Sequence, residues 1–104
     1  MPEVQRGLNR DTGLDRALMV DGNAVAGLLY EIFAMEVTTS EIECVSCVRR
    51  GEIGSLLAFT QAPGVVLCCP RCESIVIRIV KTPGAIYLDA RGVTYLRLEN
   101  LLSG

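Results

Sequence analysis

Two C-x2-C motifs decide the fold of this chain: CVSC at residues 44–47 and CPRC at residues 69–72, with 21 residues between them. Each motif forms a tight turn that directs two thiolates at one ion, and two such turns complete a tetrahedral site of four sulfur atoms. The intervening segment is slightly longer than the roughly 15–20 residues usual in zinc ribbons. Its pattern is nevertheless that of a β-hairpin, the element that joins the two turns in that fold. We therefore predict a metal site formed by Cys44, Cys47, Cys69 and Cys72.

The residue types of this site indicate which metal it binds. The chain contains five Cys and no His, so the ligand set is all sulfur, which favours Zn²⁺ and, less often, iron. Four protein ligands leave no open position for water or substrate, as in structural zinc sites. We expect one structural Zn²⁺ ion. Three alternatives stay open: a dithiol redox pair, a rubredoxin-like iron centre and disulfides. No βαβ pattern surrounds either motif, which counts against the redox pair. Aromatic residues make up only 5% of the chain, which counts against the rubredoxin-like centre.

Cys68 is the odd cysteine of the five. Successive side chains of a strand point to opposite faces, so Cys68 faces away from the metal if Cys69 faces it. We expect Cys68 to be a small buried apolar residue. A regulatory thiol and a substitute ligand are the alternatives.

The chain length of 104 residues corresponds to a single domain. Residues 1–20 mix charges, glycines and isolated leucines without a sustained period, so we expect a flexible arm there; Met19 is an alternative start of the chain. Residues 21–98 have the pattern of a folded domain with a helix followed by strands. We expect a polar or frayed tail at residues 99–104.

The folded part is predicted to begin with one amphipathic helix. Asp21 is a suitable N-cap, and the apolar residues after it recur close to helical spacing: Ala24, Val25, Leu28, Leu29, Ile32, Phe33 and Met35. We expect this apolar stripe to cover a face of the same domain. Docking on a partner is the alternative, and binding to a membrane surface is disfavoured because the polar side lacks Lys and Arg enrichment.

Short strands are predicted beyond residue 37, at residues 41–44, 53–61, 65–69, 75–81, 86–90 and 93–98, with Pro-Gly turns at residues 63–64 and 83–84. Residues 75–81 alternate with the period of two that is typical of a strand. We expect the last two strands to pair with each other around Arg91-Gly92. The predicted fold class is α+β: a small zinc-ribbon-like antiparallel β-sheet of five or six strands with one N-terminal amphipathic helix.

The charge balance argues against nucleic acid as the partner. Ten Lys and Arg oppose twelve Asp and Glu, a formal net charge of −2, which four thiolates and one Zn²⁺ would lower to −4. Nucleic-acid binders normally show a basic excess. Arg49, Arg50 and Arg71 lie beside the motifs, and we expect them to offset the negative charge of the site. Recognition of an anionic partner is the alternative.

Neither a membrane span nor an enzyme is predicted. No segment approaches the roughly 18 apolar residues that a membrane span needs, and the first residues lack an apolar run of signal-peptide length. We expect a cytoplasmic protein, and in a reducing compartment five cysteines indicate metal or redox chemistry more often than disulfides. Catalysis is not expected, because Ser46, Ser55 and Ser74 have no His to activate them.

Several motifs together resemble a known family: DGNAVAG at residues 21–27, the two C-x2-C motifs, APG at 62–64, KTPG at 81–84 and LDARG at 88–92. They are similar to short bacterial proteins of unknown function with a zinc-ribbon-like cysteine pattern. The resemblance covers about residues 21–98 and implies Cys44, Cys47, Cys69 and Cys72 as ligands. The chain departs from the family pattern at Cys68 and in the long arm before Met19. The resemblance implies no activity and suggests another protein as partner, with an oxidoreductase as one candidate.

We therefore predict a protein stabilised by structural zinc that serves as a protein–protein interaction or accessory module. The alternative is a nucleic-acid-associated zinc ribbon of the transcription or RNA machinery, and a redox or electron-carrier role is a third hypothesis. Fold analogy does not choose between these functions. The oligomeric state does not follow from the sequence.

Overall fold

A computed structural model of the chain describes residues 16–61 and 63–98. Within these ranges the chain forms one α-helix, α1 (Ala26–Phe33), three short 3-10 turns and eight strands. The strands are β1 (Val20–Asp21), β2 (Glu41–Cys44), β3 (Arg50–Glu52), β4 (Leu57–Phe59), β5 (Val65–Cys68), β6 (Ile75–Lys81), β7 (Ile86–Asp89) and β8 (Val93–Arg97). All strand pairs are antiparallel. The predicted α+β class, with antiparallel strands and one helix, is confirmed.

The described strands form two sheets, whereas a single sheet of five or six strands was predicted. The larger sheet has the order β1-β4-β5-β6-β7, and the smaller one has the order β3-β2-β8. The expected pairing of the last two strands is wrong, because β7 pairs with β6 and β8 pairs with β2. The turn at residues 89–92 is the reason: it packs against the start of β6 and sends the chain from the larger sheet to the smaller one.

The helix begins less regularly than its sequence pattern predicts. Asp21 accepts a hydrogen bond from the Asn23 backbone amide at 2.9 Å, so it is a cap as expected, but a 3-10 turn over Gly22–Val25 precedes α1. A Cβ atom on Gly22 would lie 2.4 Å from the Ile53 carbonyl oxygen, and only glycine permits this close approach. Within the described residues, no helix has both the length and the apolar character needed to cross a membrane.

The main core lies where α1 and the two sheets meet. Leu29 of α1, Ile42 of β2, Leu67 of β5 and Ile79 of β6 belong to one buried cluster. Fully burying a side chain of this size stabilises a fold by about 1.5–3 kcal/mol relative to exposure. The apolar stripe of the helix therefore packs within its own domain, as predicted.

Residues 53–61 are interrupted where one strand was predicted. The chain makes a 3-10 turn over Ile53–Ser55 and only then enters β4. The amides of Ile53 and Gly54 donate to the carbonyl oxygens of Ser40 and Thr38, so this segment is tied to the loop before β2. β3, just before the turn, is a strand that the prediction lacks.

Residues 1–15 of the predicted arm, and the predicted tail at 99–104, lie outside the described residues. The described end of the arm takes part in the fold: Arg16–Leu18 form a 3-10 turn, and Val20 pairs with Ala58 of β4. The described secondary structure therefore begins before residue 21.

Candidate metal centre

The four predicted ligands lie together although they come from both sheets. Cys44 ends β2, and the turn after it leads to β3 of the smaller sheet. Cys69 and Cys72 lie in the turn that joins β5 to β6 of the larger sheet. The sulfur atoms of Cys44, Cys47, Cys69 and Cys72 all lie within 4.8 Å of one another. An ion held by all four would therefore cross-link the two sheets.

Distances between the two turns fit a tetrahedral metal. Cys44 Sγ lies 3.7 Å from Cys72 Sγ, and Cys47 Sγ lies 3.7 Å from Cys69 Sγ. A zinc–sulfur bond of about 2.3 Å places the sulfur atoms of a tetrahedral site about 3.8 Å apart. None of the five cysteines, all of which are described, forms a disulfide.

Both turns share one hydrogen-bond pattern. In the first, the Cys44 amide donates to the Arg49 carbonyl, and the Val48 amide donates to the Cys44 carbonyl, each at 2.9 Å. In the second, the Cys69 amide donates to the Ser74 carbonyl at 2.9 Å, and the Glu73 amide donates to the Cys69 carbonyl at 2.8 Å. The two C-x2-C segments are therefore built as equivalent ligand-holding turns.

Each turn needs one residue with left-handed backbone. Val48 has φ 57° and Glu73 has φ 66°, each directly after the second cysteine of its motif. This conformation costs an L-residue about 1–2 kcal/mol, and a β-branched residue such as valine is especially unsuited to it. The backbone conformation that directs the thiols toward one another therefore lowers the stability of each turn.

Irregular strand pairing precedes both turns. The register of β2 against β8 shifts between Glu43 and Cys44, and the register of β5 against β6 shifts between Leu67 and Cys68. Such irregularities redirect side chains at the end of a strand. They occur where the chain leaves each sheet and enters a cysteine turn.

Burial divides the four thiols into two pairs. Cys44 and Cys69, the first cysteines of the two motifs, are 4% and 0% exposed and belong to the main core. Cys47 is half-buried and Cys72 is exposed. The centre therefore has the core on one side and solvent on the other.

The thiols of Cys47 and Cys72 differ in acidity. A backbone hydrogen bond from Arg49 lowers the pKa of Cys47, but desolvation and the neighbouring thiols outweigh it and raise this pKa to about 11. Partial burial raises the pKa of Cys72, but hydrogen bonds from the Ser74 hydroxyl and amide outweigh it and lower this pKa to about 7. A bound metal needs both groups as thiolates, so its uptake must displace protons.

The odd cysteine lies apart from this cluster. Cys68 is fully buried, as predicted, in a second small cluster with Phe59 and Val66, while its neighbour Cys69 belongs to the main core. It is not a member of the four-sulfur group.

The arginines beside the motifs have different surroundings. Arg50 donates from Nε to Glu43 Oε1 at 2.9 Å, so its guanidinium forms an ion pair with that carboxylate. Arg71 contributes its backbone amide, which lies 3.4 Å from Cys69 Sγ. Ser74, whose hydroxyl lies 3.1 Å from Cys72 Sγ, is a neighbour of the site that was considered only as a possible nucleophile. Its place two residues after a predicted ligand was the available signal.

Comparison with protein families identifies the family of the chain. The model of DUF6510, a family of unknown function, matches residues 15–101, which include all four clustered cysteines. The chain belongs to this family. Searches of curated proteins and of solved structures found no match.

Proposed function

We propose that this DUF6510 chain binds one structural Zn²⁺ through Cys44, Cys47, Cys69 and Cys72 and serves as a non-catalytic protein interaction module. The observation that carries the metal assignment is the approach of four sulfur atoms from two separate turns to within 4.8 Å. An all-sulfur set suits Zn²⁺, and iron is the second choice. A bound ion would supply a cross-link between the two sheets.

Metal analysis of the purified protein tests this assignment. We expect one zinc per chain and a colourless protein, because Zn²⁺ has no d–d transitions, whereas an iron–sulfur site absorbs visible light. Cys72→Ala should lose the metal or bind it at least about tenfold more weakly. Cys68→Ala is the matched control and should keep one zinc per chain. A metal-free wild type, or metal loss in Cys68→Ala, would contradict the ligand assignment.

The interaction role is supported by the outer strand of the larger sheet. Among the described strands, β7 lies at the end of the strand order. It contains three consecutive exposed apolar residues: Ile86, 38% exposed, Tyr87, 63% exposed, and Leu88, 43% exposed. An edge strand without Lys, Pro or a bulge is a template for pairing with another chain. The opposite edge, β1, is only two residues long.

We infer that β7 pairs with an extended segment of another protein, a recognition mode in which backbone hydrogen bonds supply affinity. The net negative charge of the chain favours a protein over nucleic acid as this partner. The sequence resemblance suggests an oxidoreductase as one candidate for this partner.

Substitutions of two similarly exposed tyrosines test whether β7 is the binding surface. A partner captured from native lysate is purified, and its affinity is measured for wild type, Tyr87→Lys and Tyr30→Lys. Tyr87 and Tyr30 are similarly exposed, at 63% and 57%, but only Tyr87 lies on β7. We expect Tyr87→Lys to weaken binding at least about tenfold, since a lysine on an edge strand opposes pairing. Equal affinity of the two variants would contradict the assignment of β7.

A further inference from the structure

The loop between β7 and β8 lies against both halves of the metal centre. The Gly92 carbonyl accepts a hydrogen bond from the Val45 amide at 3.0 Å, and the Gly92 amide donates to the Val76 carbonyl at 3.2 Å. Val45 belongs to the first cysteine turn, and Val76 lies near the start of β6, just after the second turn. One glycine therefore makes backbone contacts to segments on both sides of the centre.

Only glycine permits this position. A Cβ atom on residue 92 would lie 2.2 Å from the Ile75 carbonyl oxygen and 2.6 Å from Val76 Cα. Contacts this short cannot be kept, so any side chain would displace the loop and its carbonyl. The close approach of Gly92 to β6 is thus a condition for its bond to Val45.

The rest of the loop is held by Asp89 and Arg91. The Arg91 amide donates to Asp89 Oδ1 at 3.1 Å, and its guanidinium donates to both carboxylate oxygens. The Val93 amide then donates to the Ala90 carbonyl at 3.1 Å, which closes the turn around Gly92. These bonds account for the Asp-x-Arg-Gly pattern at residues 89–92.

Comparison of the two cysteine turns shows what the Gly92 carbonyl does. Their hydrogen-bond patterns match, but the residue after the first cysteine is Val45 in one turn and Pro70 in the other. Pro70 has no amide hydrogen to satisfy, and its ring fixes φ. Val45 has an amide hydrogen, and no ring restrains its φ. The bond to Gly92 restrains the first turn at the position where the proline ring restrains the second.

We propose that Gly92 is a positioning residue of the metal centre, whose carbonyl holds the first turn so that Cys44 and Cys47 point at the ion. This inference rests on the proposed metal site. It makes the loop between β7 and β8 a third component of that site, supplied by a part of the chain that contains no ligand.

Cobalt binding measured by chelator competition tests the proposal, with the thiolate-to-cobalt absorption as the readout. Gly92→Ala should lower cobalt affinity at least about tenfold. Gly84→Ala is the control, because a Cβ atom there meets nothing within 4 Å, and its affinity should stay within about twofold of wild type. Equal affinity of Gly92→Ala and wild type would overturn the proposal.

Val45→Pro separates positioning from simple packing. This substitution removes the amide that Gly92 accepts from and gives the first turn the proline that the second already has. If Gly92 acts through Val45, Gly92→Ala should cost less than about threefold in affinity in the Val45→Pro background, since interacting residues are non-additive. The same loss in both backgrounds would show that Gly92 acts only by packing and would overturn the proposal.

Amide hydrogen exchange decides the question if Val45→Pro does not fold. In the cobalt-loaded or zinc-loaded protein, the Val45 amide should exchange slowly in wild type and at least about tenfold faster in Gly92→Ala. The Val48 amide, bonded within its own turn, is the internal reference. Unchanged Val45 exchange would overturn the proposal. A wild type that gives no thiolate-to-cobalt absorption would instead show that the proposed metal site fails.

Discussion

Two thiols of the candidate metal centre, those of Cys47 and Cys72, differ in their protonation at neutral pH. At pH 7 Cys47, with a pKa raised to about 11, carries its proton, whereas Cys72, with a pKa lowered to about 7, is partly ionised. Because a protonated thiol must lose its proton before it binds, acid competes with the metal. The protonation of Cys47 thus opposes metal uptake throughout the neutral range.

Zinc affinity is therefore predicted to increase with pH. We expect the dissociation constant to fall at least about tenfold per pH unit between pH 6 and 8, because more than one proton is displaced for each ion bound. Competition with a chelator of known affinity measures it, and a weakly buffered titration counts the protons released. Equal affinity at pH 6 and pH 8 would contradict this prediction.

Val48 carries a local strain that a substitution can relieve. Its φ of 57° suits glycine, and its side chain is 65% exposed, so little packing is lost when it is removed. We expect Val48→Gly to raise the stability of the metal-loaded protein by about 1 kcal/mol, after the extra entropy of glycine in the unfolded chain is allowed for. The midpoint of thermal unfolding measures the change.

Val45→Gly is the control for this substitution. Val45 lies in the same turn and is 52% exposed, but it is not among the described residues with positive φ. Glycine there should lower stability by about 0.5–1 kcal/mol. A Val48→Gly protein that melts below wild type would show that the left-handed conformation is not a cost.

Single residues differ in how well sequence alone predicts them. The grouping of Cys44 with Cys72 follows from motif spacing, because C-x2-C turns have few geometries. The role of Gly92 does not follow from any local pattern, since it depends on contacts with Val45 and Val76, which are distant in sequence.

At the scale of elements, α1 depends on its packing against the sheets. It has only eight residues, and helices this short are marginal on their own. Leu29 is its fully buried residue and lies in the main core. The helix therefore persists because of its tertiary contacts.

Leu29→Ala is predicted to destabilise the metal-loaded protein by about 2–5 kcal/mol, through lost burial and the cavity left behind. Leu88→Ala is the control, because Leu88 of β7 is 43% exposed, and it should cost clearly less, about 1 kcal/mol. Denaturant unfolding at constant zinc concentration gives both values. Similar losses in the two variants would contradict the assignment of Leu29 to the core.

Elements with a strong period were predictable and irregular ones were not. β6 matches the strand predicted at residues 75–81, five of which are β-branched Ile or Val. β3 reads Arg-Gly-Glu and has no apolar residue, so it has no pattern of its own and exists through its pairing with β2. The pairing of β7 with β6 and of β8 with β2 was not predictable, because contacts with β6 determine the conformation of the turn at residues 89–92.

At the scale of the whole molecule, the candidate metal centre lies where the two sheets meet. The first cysteine turn belongs to the smaller sheet and the second to the larger one. Zinc binding to structural four-ligand sites contributes about 10–16 kcal/mol in model peptides, which matches or exceeds the roughly 5–15 kcal/mol net stability of an ordinary domain. Removal of the ion should therefore remove most of the stability of the fold.

Thermal unfolding followed by far-UV circular dichroism, with the protein metal-loaded and then stripped by a chelator, measures how far the fold depends on the ion. We expect one cooperative transition in the loaded protein, loss of this transition and of the β-sheet signal after stripping, and recovery of both when zinc is returned. A stripped protein that keeps the same spectrum and the same cooperative transition would contradict it.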